Sequence, residues 1–149
     1  MEVYRISRDK YAKALTASGV ANRWNYDQEW VIYTACNRAL STLELVVHRS
    51  AIKPAFNYQV MVISIPDEPR FITEITGKDL PANWQHIESY PRLQKIGSDW
   101  YTGNRSLVLK VPSAVLPSES NYMINTKHPD YKKVKLLRLE SFFWDERLL

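Results

Sequence analysis

Short stretches in which apolar and polar residues alternate recur along the chain, and they predict a strand-rich domain. The predicted strands cover residues 3–6, 31–34, 58–65, 71–75, 106–111 and 134–139. Residues 58–65 give the clearest signal, because β-branched side chains dominate the run and the Pro66-Asp67 pair that follows favours a turn. These segments predict a sheet that forms most of the fold.

Three other segments follow a helical pattern. They cover residues 9–17, 37–48 and 89–101. Asp9 is placed to cap the first helix, and the Ser18-Gly19 pair is placed to end it. Helices and strands mix along the chain without a repeat or a linker. The predicted fold class is therefore α+β: a single compact domain with a mixed, strand-rich sheet and flanking helices.

Length and composition agree with one folded domain over residues 1–149. Apolar residues make up 45% of the chain, and five tryptophans and nine tyrosines exceed what a disordered segment carries. The net charge of +4 fits a phosphate ligand, nucleic acid or an acidic protein partner. Because no arginine-rich run or basic helix is present, direct nucleic-acid binding is not expected.

Cysteine and glycine usage excludes several function classes. Cys36 is the single cysteine, so an intrachain disulfide, a thiolate metal site and a CxxC redox motif are excluded. The four glycines are scattered and form no dinucleotide-binding fingerprint, which disfavours a Rossmann hydride-transfer enzyme. No signal-peptide pattern and no apolar run of membrane-spanning length occur, so a soluble cytoplasmic protein that does not bind a membrane is expected.

The candidate chemistry lies between residues 22 and 48. Arg23 lies in a polar segment predicted to be a loop, and Tyr33 ends a short apolar run. Glu44 interrupts an apolar helical segment, so its carboxylate must face water, a partner or a cleft, because an unpaired buried charge is very costly. These three side chains suit a ligand with an anionic phosphate, a planar ring and a bond that breaks with positive charge.

Further polar groups follow the predicted strand 106–111. The strand ends at Pro112 and then presents Ser113, at a position where sheet proteins hold ligands. Residues 121–125, predicted to be a loop, add the amide of Asn121. Both residues are candidates for binding the same ligand.

Motifs along nearly the whole chain resemble those of the RES domain family, in the family's order. In the first half they are Tyr4-Arg5, Asn22-Arg23-Trp24-Asn25, residues 31–35, Leu43-Glu44 and Val47-His48. In the second half they are residues 96–100, 111–115, 121–125, His128-Pro129 and residues 143–148. The family is named for an arginine, a glutamate and a serine, which correspond to Arg23, Glu44 and Ser113. Asn22 and Thr126 stand where the family usually has glycine and proline.

The resemblance implies a toxin of a bacterial toxin–antitoxin pair, with an ADP-ribosyltransferase-like fold and activity against NAD. It also implies an antitoxin similar to Xre-type helix-turn-helix proteins, and it leaves open a homodimer within the complex. The implied catalytic residues are Arg23, Tyr33 and Glu44, and the implied NAD-binding residues are Arg5, Arg23, Tyr33, Ser113 and Asn121. No metal is expected, because nicotinamide is already a good leaving group.

The residue types themselves suit NAD. An arginine can bond two diphosphate oxygens at once, which favours Arg23 first and Arg5 second. Tyr33 offers a ring for the nicotinamide or its ribose and a hydroxyl for a polar edge. Glu44 would stabilise the charge that develops on the ribose, hold a ribose hydroxyl or orient water. Ser113 would bond phosphate or ribose.

Each of these residues also has an ordinary structural interpretation: a surface arginine, a core tyrosine, a solvated glutamate or a serine in a turn. Three functional classes therefore remain. They are an NAD-cleaving hydrolase toxin, a mono-ADP-ribosyltransferase that modifies a protein, and a binding module without activity. The presence of Arg23, Tyr33 and Glu44 together argues against the third class.

Overall fold

The computed structural model describes residues 1–48 and 55–148, and within them it has seven strands and two α-helices. The strands are β1 (Glu2–Arg8), β2 (Val31–Ala35), β3 (Tyr58–Ser64), β4 (Ile72–Glu74), β5 (Val108–Pro112), β6 (Ser120–Asn125) and β7 (Lys135–Ser141). The helices are α1 (Arg38–His48) and α2 (Tyr90–Thr102). The α+β class predicted from the sequence is confirmed. No helix among these residues is both long enough and apolar enough to span a bilayer.

All seven strands form one sheet in the order β4-β5-β6-β2-β1-β3-β7. The β4–β5 pair is parallel and the other pairs are antiparallel. Because side chains alternate across a strand, neighbouring residues of one strand enter different cores. Val108 and Ile124 belong to one buried cluster, whereas Leu109 and Met123 belong to a second cluster, which also contains Trp100 of α2.

The sheet is weakest between β1 and β2. These strands pair only at Tyr4 with Ala35, whereas β1 pairs with β3 over its whole length. The Arg5 side chain lies at this seam, where its Nη1 donates to the carbonyl oxygen of Tyr33 at 3.1 Å. A side chain thus satisfies a backbone acceptor of β2 that a strand ladder would ordinarily satisfy.

Helix α1 packs against β1 and β2, beside this seam. The helix begins at Arg38, where the Oδ1 of Asn37 accepts a hydrogen bond from the backbone N–H of Leu40 at 2.7 Å. This contact is a helix N-cap, and asparagine is among the preferred residues for it. Leu40 and Ser41 are the buried residues of α1, so their side of the helix faces the sheet.

A polar loop ahead of β2 is held against α2. The Nε2 of Gln94 donates to the carbonyl oxygens of Asn22 at 3.0 Å and Asn25 at 3.3 Å. Gly97 lies directly over the carbonyl of Trp24, where an added Cβ would be 1.7 Å from the oxygen. Only a glycine allows this approach, so the loop that carries Arg23 takes its position from one face of α2.

Two predicted elements are wrong. The helix expected over residues 9–17 is a single 3-10 turn, Asp9–Tyr11, and Asp9 makes no side-chain cap to it. The chain after this turn is irregular, because Ala12, Leu15 and Ala17 pack on the sheet's core and this packing outweighs local helix propensity.

The loop expected over residues 121–125 is strand β6, in the interior of the sheet between β5 and β2. The segment has an asparagine at each end, and each asparagine side chain bonds to groups outside the sheet: Asn121 donates to Glu44 of α1, and Asn125 donates to groups at the end of α2. Asn125 is fully buried, and its Nδ2 donates to the carbonyl of Tyr101 and to the Oδ1 of Asn104, both at 3.2 Å. A buried amide that is hydrogen-bonded in this way, as that of Asn125 is, is compatible with a buried strand.

We expect Gly97→Ala to destabilise the protein, because the new methyl group would overlap a backbone carbonyl that cannot move freely. The expected loss is about 1–3 kcal/mol of unfolding free energy, more than the gain in helix propensity from alanine. Gly77→Ala is the matched control, since an added Cβ there meets nothing within 4 Å. Thermal melts of both variants test the claim, and equal melting temperatures would contradict it.

Candidate functional site

Three elements converge on the carboxylate of Glu44. Glu44 lies on α1, Ser113 follows the end of β5, and Asn121 lies on β6. The Ser113 hydroxyl and the Asn121 Nδ2 both donate to Oε1 of Glu44, each at 2.7 Å. The second oxygen, Oε2, has no hydrogen-bond partner among the residues described. The carboxylate is therefore oriented through one oxygen while the other is available to a ligand.

Ser113 itself is fully buried. Its Oγ also accepts hydrogen bonds from the backbone N–H groups of Val115 and Leu116, both at 3.2 Å. Direct contact of Ser113 with phosphate or ribose stays a prediction, since its hydroxyl is occupied here by protein groups. In this structure the serine fixes the carboxylate and the turn after β5 at the same time.

Asn121 lines the groove in front of Glu44. Its Nδ2 is used by the carboxylate, and its Oδ1 is buried without a hydrogen-bond partner. A buried amide oxygen left unpaired is costly, so a donor supplied by a bound molecule would stabilise it. This geometry keeps Asn121 among the residues predicted to bind a ligand.

Tyr33 presents its ring to the same groove, but its hydroxyl is committed to the protein. The hydroxyl donates to the Oδ1 of Asn25 at 2.6 Å and accepts from the backbone N–H of Trp24 at 3.0 Å. Burial raises the pKa of Tyr33 well above its ordinary value, so the hydroxyl stays protonated. The ring face is what remains for a ligand.

Arg23 is held at the other side of the groove by backbone oxygens and a ring. Its Nη1 donates to the carbonyls of Gln85 at 3.0 Å and Trp84 at 3.4 Å. Its guanidinium lies 4.6 Å from the centre of the Tyr90 ring. No carboxylate pairs with Arg23 in the described part of the chain, so its positive charge is available to an anion.

Arg5 supplies a second cation, from the seam between β1 and β2. Burial lowers the pKa of its guanidinium, although arginine remains charged in proteins. Within residues 1–48 and 55–148 it has no acidic partner and its one hydrogen bond is to Tyr33. A desolvated cation without a counter-ion favours the binding of an anionic group at this point.

These residues line two adjoining cavities of about 240 and 260 Å³. Tyr33, Glu44 and Asn121 line both, so the cavities form one groove with the carboxylate at its middle. Arg5 lines the first cavity and Arg23 the second. The groove can therefore hold an anionic group beside either arginine and a planar ring beside Tyr33.

Some groove residues were not among the predicted site residues. His48 lines both cavities, and its position one helical turn after Glu44 could have indicated this. Tyr90 contacts Arg23 from α2, and no local sequence signal indicates that contact. Among the described residues, no group of three or more His, Cys, Asp or Glu side chains is arranged to hold a metal ion.

A model of the RES domain matches residues 2–145 of the chain. The chain belongs to the RES domain family. This confirms the family resemblance found in the sequence. Three residues correspond to the family's name: Arg23 and Glu44 line the groove, and the buried Ser113 is hydrogen-bonded to Glu44.

Relatives of this RES domain have toxin names. A protein of Sphingobium sp. (strain YBL2) named "Prs ADP-ribosylating toxin" is 34% identical over 85% of this chain and 80% of its own length. Proteins named "Toxin Res" from Yersinia enterocolitica and Pseudomonas putida are each 30% identical over 99% of both chains.

The fold of the RES domain also matches a solved structure, a chain in the crystal structure of the M. tuberculosis MbcT–MbcA toxin–antitoxin complex. The TM-score is 0.77 at 16% identity, over 95% of this chain and 83% of the other. At this identity the match concerns the fold, and it confirms the fold class expected from the resemblance.

Proposed function

We propose that this RES domain is the toxin of a toxin–antitoxin pair and that it cleaves NAD at the bond between nicotinamide and ribose. One observation carries the proposal: a carboxylate with a free oxygen lies in a groove that an arginine lines on either side. NAD combines a diphosphate with a glycosidic bond whose cleavage develops positive charge on a sugar. The groove offers groups of complementary charge for both parts.

In the proposed reaction the bond between the ribose C1′ and the nicotinamide nitrogen breaks, and its electron pair leaves with nicotinamide. The ribose becomes oxocarbenium-like, and the free oxygen of Glu44 stabilises that charge. A water molecule then adds to C1′ and gives up a proton, which yields ADP-ribose. Ser113 and Asn121 act by holding the carboxylate in place.

The two arginines would divide the anionic part of NAD between them. Arg23 keeps Nε and Nη2 free of partners in the part of the chain described, which allows two hydrogen bonds to a diphosphate. Arg5 is the second candidate, from the opposite cavity. The Tyr33 ring would pack on the nicotinamide or its ribose, since its hydroxyl is already bonded to Trp24 and Asn25.

A second candidate activity is transfer of ADP-ribose to a protein side chain. The name of the Sphingobium relative, an ADP-ribosylating toxin, supports it. Water and a side-chain nucleophile need the same electrophile, so the groove serves both reactions. Incubation of the purified chain with NAD alone separates them, because release of nicotinamide without an acceptor protein indicates hydrolysis.

An NAD-cleaving enzyme in the cytoplasm requires restraint, because redox metabolism depends on the same cofactor. The structural neighbour comes from a toxin–antitoxin complex, which supports a separate inhibitory protein for this chain. We expect an Xre-like helix-turn-helix antitoxin, as the family resemblance implies. The simplest mode of inhibition is to cover the groove that contains Arg23 and Glu44.

We expect Glu44→Gln to remain folded and to lose NAD cleavage. Glutamine keeps an oxygen for Ser113 and Asn121 but removes the charge that opposes the developing cation, which should cost about 10²-fold or more in rate. Nicotinamide release measures the loss. The control is Glu88→Gln, at a glutamate whose side chain is 81% exposed, and it should be as active as the wild type. Equal rates for the two variants would remove Glu44 from the catalytic role.

We expect Arg23→Lys to weaken NAD binding although the charge is retained, because lysine cannot form two parallel hydrogen bonds to a diphosphate. Calorimetric titration with NAD in a Glu44→Gln background measures affinity without turnover. Arg92→Lys, at an exposed position on α2, is the matched control and should bind as its parent does. An unchanged affinity in Arg23→Lys would show that this residue does not bind the phosphate.

We expect expression of the chain alone in bacteria to arrest growth and to lower cellular NAD. Co-expression of the cognate helix-turn-helix protein should reverse both effects, and Glu44→Gln should be harmless without it. Growth curves and NAD measurements at matched soluble expression provide the test. Normal growth and unchanged NAD with the soluble wild-type chain would contradict the toxin proposal and favour a binding module without activity.

A further inference from the structure

A buried carboxylate outside the groove has no role in the proposed reaction. Glu29 is 8% exposed, and no salt bridge to it is formed in the described parts of the chain. Its Oε1 accepts from the backbone N–H of Tyr26 at 2.7 Å, and its Oε2 accepts from the hydroxyl of Ser98 at 2.5 Å. Burying a carboxylate without a cation is unfavourable, and a neutral side chain at this position would avoid that cost.

The two bonds of Glu29 connect the loop that carries Arg23 to α2. Ser98 is on α2, directly after Gly97. Gly97 is the residue against which the carbonyl of Trp24 packs. Glu29 lies just before β2, where its own carbonyl accepts from the N–H of Val31 at 3.2 Å. The carboxylate thus fixes the point at which the chain enters the strand that carries Tyr33.

Asn25 continues this set of contacts to the groove. It is 1% exposed, and its Nδ2 donates to the carbonyls of Val20 at 3.0 Å and Tyr26 at 2.9 Å, with a longer contact of 3.4 Å to that of Glu29. These bonds orient the amide so that its Oδ1 accepts from the Tyr33 hydroxyl at 2.6 Å. A continuous set of hydrogen bonds therefore runs from α2 to a ring that lines the groove.

We infer that Glu29, Ser98 and Asn25 form a positioning unit that sets the Tyr33 ring and the Arg23 loop relative to Glu44. The inference rests on the proposed function, since the positioned groups are those assigned to NAD. Glu29 acts here through the geometry of its two hydrogen bonds, whereas Glu44 acts through its charge. Replacement by glutamine should therefore remove the catalytic contribution of Glu44 but preserve the positioning role of Glu29.

The test compares Glu29→Gln with Glu29→Ala in nicotinamide release by the full chain. Glutamine can accept from Tyr26 and donate to Ser98, whose hydroxyl can turn to a carbonyl of its own helix, so kcat should stay near the wild-type value. Alanine removes both bonds, and kcat should fall about tenfold or more, since small misplacements of positioning groups have large effects on rate. Equal kcat values for folded Glu29→Ala and the wild type would overturn the inference.

Ser98→Ala covers the case in which Glu29→Ala does not fold. It removes one hydroxyl from a helix that tolerates alanine well, and it should lower kcat in the folded protein. A role confined to stability would lower the melting temperature of Ser98→Ala and leave kcat unchanged below it. That result would also overturn the inference.

A readout independent of activity separates this inference from the proposed function. The backbone N–H of Trp24 bonds to the Tyr33 hydroxyl, so its amide resonance reports the position of that hydroxyl. The resonance should shift in Glu29→Ala and Ser98→Ala and stay in place in Glu29→Gln. If the wild type releases no nicotinamide, the proposed function fails and this pattern alone decides the positioning role. An unshifted Trp24 resonance in Glu29→Ala would overturn the inferred positioning role of Glu29.

Discussion

The carboxylate of Glu44 is held through a single oxygen, and the rest of the site depends on this contact. Two donors bind Oε1, one from the end of β5 and one from β6, while the residue itself comes from α1. The apolar neighbours Leu43 and Leu45 do not dictate where the charge goes. The sheet fixes its position, because a hydroxyl after β5 and an amide on β6 donate to it. These donors are neutral, so they orient the carboxylate and leave its charge intact, whereas a bound cation would cancel that charge.

The groove also requires a sheet that is incompletely paired. Full pairing of β1 with β2 would occupy the carbonyl of Tyr33 and leave no place for the side chain of Arg5. With one ladder pair at this seam, the sheet keeps two well-paired halves and gains a partly buried cation between them. In the proposed reaction, this arrangement would trade local sheet stability for a cation that is already in place when an anion binds.

The sequence pattern correctly predicted those elements in which the packing of the folded protein agrees with the intrinsic preference of the residues for helix or strand. The strand around residues 58–65 and the helix over residues 37–48 are examples, because β-branched residues before a turn and a helical apolar pattern are local signals. The errors over residues 9–17 and 121–125 have the opposite cause. There, packing on the sheet and long-range partners for asparagine side chains outweigh the local preference.

The candidate site was predictable in part. The family resemblance brought Arg23, Tyr33 and Glu44 together, and the structure places all three along one groove. The role of Ser113 as a support for Glu44 was not predictable, because it depends on a distance between segments far apart in sequence. The same holds for the contacts that lead from Ser98 to Tyr33.

The central claim is that the free oxygen of Glu44 faces the bond that breaks in NAD. The most direct measurement is a crystal structure of the chain with an NAD analogue in which carbon replaces the oxygen of the nicotinamide-bearing ribose ring, so that cleavage does not occur. We predict that C1′ of this ring faces Oε2 of Glu44, with the diphosphate bonded to Arg23 or Arg5. An analogue bound outside the groove, or with its diphosphate rather than its ribose next to Glu44, would contradict the account.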